Sequence, residues 1–205
     1  MTKITQLLNA ISMACPLFVW MKKHHCHARR LFHRFLIVHI PLSFVYHFLQ
    51  GVKLPIPNIE KIITFLKVTD CMFVHIYTSI CNRDIAIYQK INYAQSEKVG
   101  RCAMYSLNTI CMLKMIKQPS LIDETHFSIG RVLALGGLSL STLRHTKQLQ
   151  KGILCGSFGA LLYILDPYLG NYGHCIFHIV LGNVHETIYC CFEDVGLPIK
   201  ELDVL

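Results

Sequence analysis

Apolar residues in this chain fall into blocks separated by short polar connections, at about 5–21, 35–51, 61–81, 100–117, 126–143, 150–167 and 173–192. Each block approaches the ~20 residues a helix needs to cross the hydrocarbon core of a bilayer. None alternates apolar and polar positions as a barrel strand does, and a helix satisfies its own backbone in lipid. The pattern predicts an all-α fold: a seven-transmembrane helix bundle forming one membrane domain over residues 1–205. Lys67, Asn108 and Arg131 interrupt the third, fourth and fifth blocks, and the fourth and fifth carry the weakest signal. The first block has the length of a signal peptide, but no small-x-small cleavage site precedes the basic cluster after it. It is read as a retained span.

Composition points the same way. Of 205 residues, 53% are hydrophobic and only 16% charged, and the mean hydropathy is +0.41. A soluble domain of this size carries about a quarter charged residues. The net charge of +8 is spread between the apolar blocks instead of along one face, which argues against a nucleic-acid partner and for loop charge that sets orientation. Lys22, Lys23, Arg29, Arg30, Arg34, Arg83, Lys90, Lys98, Arg101, Arg144, Lys147 and Lys151 lie in or beside odd-numbered loops. The other side offers Lys3, Lys53, Lys61, Lys114 and Lys117. Twelve against five places the N-terminus outside or in the lumen and the C-terminus in the cytosol. The protein is expected to be integral to the plasma membrane or to the ER or Golgi.

The ten cysteines include no CxxC, and most sit in or at the ends of apolar blocks, as small hydrophobic residues do. Cys190-Cys191, at the end of the last block, is read the same way. His24-His25-Cys26-His27 cannot all face one ion from a regular backbone, so that loop is read as a basic surface toward anionic lipid.

Chemistry concentrates elsewhere. A turn, Asp166-Pro167-Tyr168-Leu169-Gly170-Asn171-Tyr172-Gly173, opens into an apolar run that carries His174 and His178. Four residues apart on a helix, the two imidazoles share a face. In the second block Ser43 and His47 have the same spacing. Counting spans puts His47, His174 and His178 at one depth, in the outer half of the bilayer, with Asp70 of the third block beside them.

Three histidines with a fourth position open are a catalytic zinc site, and zinc lowers the pKa of bound water to about 7. Asp70 is the residue to orient that water or accept its proton. Ser43 is placed to hydrogen-bond the water or steady an oxyanion. A site within the bilayer implies a membrane lipid substrate and hydrolysis of an amide or ester bond. His39, His75, His126 and His185 are read as interhelical hydrogen-bond partners. Asp70 has a possible ion-pair partner in Lys67, one turn away.

Ser43-x-x-x-His47, Asp70 and His174-x-x-x-His178, in spans two, three and seven, resemble the signature of the CREST superfamily of seven-helix membrane hydrolases. Leu42-Ser43-Phe44-Val45-Tyr46-His47 is similar to a Ser-x-x-Tyr-His found in several of its branches. His174-Cys175-Ile176-Phe177-His178 resembles the His-x-x-Phe-His of the progestin and adipoQ receptor and haemolysin III branch. The loop charges match the orientation of the alkaline ceramidases and of the myomaker-like and GPI-lipase-like branch, and the last is favoured. The resemblance implies zinc held by His47, His174 and His178, with Asp70 and Ser43 beside it. It also leaves room for a non-catalytic receptor or membrane-remodelling protein of the same fold.

Overall fold

A computed structural model describes residues 3–15, 27–52 and 54–193. Among the described residues seven α-helices follow one another: α1 Lys3–Ser12, α2 His27–Val52, α3 Ile59–Tyr88, α4 Gln95–Lys117, α5 Thr125–Leu143, α6 Leu149–Ile164 and α7 Gly173–Glu193. Two 3-10 turns, Pro119–Asp123 and Asp166–Leu169, join α4 to α5 and α6 to α7. No strand occurs among the described residues. The fold is all-α, with one helix for each apolar block. The second half of the first block and the His24-His25-Cys26 loop lie outside the described residues.

Among the described residues one helix qualifies by length and composition to cross a membrane, α2 through Arg34–Val52. Leu149–Ile164 is apolar but only 16 residues long. The expected seven spans are therefore seven helices, of which one meets a strict apolar criterion. Polar residues inside the helices are the reason: α4, for example, carries Glu97, Lys98, Arg101, Asn108, Lys114 and Lys117.

Where those polar residues point is informative. Gln6, Asn9, His39, Ser43, His47, His75, Asn108, Arg131, His178 and His185 are all buried. Phe44, Phe65, Leu113, Leu133, Leu154 and Ile179 are among the many large apolar side chains left exposed. Many buried polar side chains thus sit beside an apolar core, while large apolar side chains are left at the surface.

α1 packs on α2 and α7, α3 on α2, α4 and α5, and α6 between α5 and α7. One apolar cluster (Met13, Leu36, Ile40, Tyr77, Cys81, Ile85, Cys191) ties α1, α2, α3 and α7 together. A smaller one, Cys71, Met115 and Ile122, joins α3 and α4 to the following turn. The described cysteines are all free. These contacts bring α1, α2 and α7 together, and the histidines lie between them.

Candidate metal centre

The start of α7 is fixed by its turn. Gly170 and Asn171 take left-handed φ of 63° and 65°, which reverses the chain after the 3-10 turn. Gly173 is then required sterically, because a Cβ there would lie 2.6 Å from the Leu162 carbonyl oxygen. The buried Asp166 carboxylate accepts the His174 backbone N–H at 2.8 Å, satisfying one of the unpaired donors at the start of α7. Sequence here sets the position of a side chain: with the helix start clamped, His174 and His178 project toward α2 and α1.

His47, near the C-terminal end of α2, meets them. Ring centroids are 5.0 Å apart for His47–His174, 5.4 Å for His47–His178 and 4.6 Å for His174–His178. One ligand nitrogen from each ring lies within 4.8 Å of the other two. An ion at the centre of a triangle that size is at most about 2.8 Å from each nitrogen, against 2.0–2.1 Å for a formed zinc–imidazole bond. Small rotations close that gap. The three expected ligands are together.

Hydrogen bonds from α1 decide which nitrogens are free. The Ser12 hydroxyl donates to the Asn9 carbonyl at 2.8 Å. It therefore has no proton left for His178 Nδ1, 2.8 Å away. The Asn9 carbonyl, which can only accept, lies 3.1 Å from the same nitrogen. His178 Nδ1 must carry the proton, and Nε2 keeps its lone pair. His47 Nδ1 faces Gln6 Oε1 at 2.9 Å, and its Nε2 is buried without a hydrogen-bond partner among the described residues. A metal-ligating histidine has this pattern: one nitrogen oriented by an acceptor, the other offered as a lone pair. The orphaned Nε2 of His47, among neutral imidazole donors, fits a divalent transition metal such as zinc.

Asp70 takes a position the sequence reading only half describes. Its Oδ1 accepts from His39 Nε2 at 3.0 Å, and Lys67 pairs instead with Asp123. His39, read as an interhelical partner, thus holds the candidate proton acceptor. The His39 ring is itself stacked on Phe73, with centroids 5.8 Å apart. Ser43, 1% exposed, lies beside the Asp70 carboxylate. His39, Ser43 and His47 follow one another at four-residue spacing on α2, so one face carries all three. The Asp70 carboxylate is near enough to His47 and His174 to interact electrostatically with both. Tyr163 and Phe177 wall the His174 side, at centroid distances of 5.8 and 6.0 Å.

The sequence reading missed α1. Gln6, Asn9 and Ser12, at three-residue spacing, share a buried face, while Ile4, Leu8 and Ile11 are exposed. The clue was present as an inverted amphipathic pattern in a segment read only for its apolar content. Comparisons of the chain with protein-family models, with curated proteins and with solved structures gave no match.

Proposed function

We propose that this chain is a seven-span integral membrane protein of the CREST type, a zinc-dependent hydrolase of a membrane lipid. The carrying observation is the convergence of His47, His174 and His178, with α1 acceptors orienting two of them for ligation. The large apolar side chains at the surface and the polar ones buried between helices support the multi-span reading, and the loop charges support an extracytoplasmic or lumenal site.

A zinc ion held by the three histidines would supply Lewis-acid activation of water, the chemistry that amide or ester hydrolysis needs. The chain's own groups do the rest. Asp70, oriented by His39, accepts a proton from the attacking water, and the bond between the two side chains keeps the carboxylate from turning away. Ser43 steadies either that carboxylate or the oxygen that gains charge as the bond is attacked. Tyr163 and Phe177 shield the site on one side, and water exclusion strengthens each of these interactions.

The test is metal analysis of detergent-purified protein together with turnover assays on ceramide, phospholipid and GPI lipid. The proposal expects about one zinc per chain and cleavage of one of these lipid classes. Zinc binding with all three lipids intact would favour a non-catalytic receptor or remodelling protein of the same fold.

A further inference from the structure

An open surface pocket lies roughly 20 Å along α3 from Asp70, counting 1.5 Å per residue to Arg83. It has a volume of about 470 Å³ and is formed by the last turns of α3, the following connection and the first turns of α4. Arg83, Lys90 and Arg101 line it with Tyr93 and Tyr105. Among the described residues no aspartate or glutamate lines it.

Loop cations that only set orientation are solvated. Arg101 is not: it is 8% exposed. Its guanidinium donates to the hydroxyls of Ser141, Thr142 and Tyr105 and to the Asn82 carbonyl. It lies 4.6 Å from the Tyr93 ring centroid and 5.7 Å from that of Tyr105. Every one of these partners is neutral, so the charge is oriented without being neutralised, and desolvating it carries a cost that an incoming anion offsets.

The other cations point to the same need. Among the described residues Arg83 pairs loosely with its neighbour Asp84, at 3.8 Å, and is largely exposed. Tyr93 adds a buried hydroxyl with no hydrogen-bond partner among the described residues. The terminal N–H groups of Arg101 are taken by its neutral partners, so Arg101 contributes charge, while Arg83, Lys90 and the Tyr93 hydroxyl supply more donors than one carboxylate uses. A phosphate group, with several acceptor oxygens, takes them all.

We propose that this pocket binds a phosphate group, carried by a phospholipid or by a soluble compound. The site is separate from the metal centre and does not depend on it. With α3 running inward, as the loop charges require, the pocket meets the cytosolic leaflet, where anionic headgroups concentrate. Ile87, exposed beside the cations, gives the apolar wall that a lipid glycerol and acyl chain would follow.

The test uses the full chain in detergent with three probes: inorganic phosphate, dioctanoyl phosphatidic acid, and dioctanoylglycerol as the phosphate-free control. The double variant Arg83→Gln/Lys90→Gln changes two exposed positions outside the packed interior. It is expected to weaken phosphatidic acid binding at least ~10-fold, while Tyr93→Phe weakens it roughly 3- to 10-fold. Zinc content stays that of the wild type in both. Preference for phosphatidic acid over inorganic phosphate identifies a lipid source; equal binding with the same variant sensitivity identifies a soluble one. The proposal is overturned if wild type and double variant bind phosphatidic acid equally, if dioctanoylglycerol binds as well as phosphatidic acid, or if neither phosphate probe binds.

Discussion

Two buried histidines, His75 and His47, differ in how many ring nitrogens the protein itself uses. His75 spends both. Its Nδ1–H donates to Asn108 Oδ1 at 2.7 Å, and its Nε2 accepts from Arg131 Nε at 3.1 Å. Asn108 in turn donates to the carbonyls of Met104 and Ala134, so α3, α4 and α5 are joined with no valence left over. His47 is as deeply buried, 1% exposed against 0%, yet only Nδ1 is engaged. Burial alone does not separate a structural imidazole from a ligand; an unsatisfied nitrogen on a ring that converges with two other imidazoles does.

The comparison can be broken most severely at the ligands. His174→Ala is expected to drop bound zinc from about one per chain to background, measured by elemental analysis of purified protein, and equal content in variant and wild type would remove the site. Asp70→Asn keeps the volume and a contact to His39 but not the base. Lipid turnover should fall by about 10²–10⁴ with zinc retained, and a variant with unchanged turnover would strip Asp70 of its role. His75→Ala sharpens the contrast from the other side. It strands Arg131 and Asn108 and should cost ~3 kcal/mol in denaturation measured in detergent micelles, with zinc content intact. The smallest effect is expected from Gln6→Ala. Freed of its acceptor, His47 should bind zinc about 10- to 100-fold more weakly in chelator competition.

The sequence carried the ligands because their spacing is local. His174 and His178 are paired by the helix itself, and so are Ser43 and His47, which leaves only the meeting of α2 and α7 to tertiary structure. The all-α character and the number of helices followed from the apolar blocks for the same reason. The acceptors on α1 were hidden. Gln6, Asn9 and Ser12 look like an ordinary wet face in the sequence, yet the same periodicity faces inward, against α2 and α7. His39 was seen but assigned only to packing, although its four-residue step to Ser43 and His47 placed it on the reactive face. The partner of Asp70 could not be read locally. Lys67 is nearer along α3, but it reaches Asp123 at the end of the turn after α4, a contact between residues far apart in sequence.

The bond from His178 to the Asn9 carbonyl spans 169 positions of chain. A nascent polypeptide has no complete histidine triad until α7 is made and docks against α1 and α2. Metal loading would thus come only once α7 is in place, and a bound ion would act as a clasp between α2 and α7. Chains stalled before α7 would be left unclasped and open to quality control.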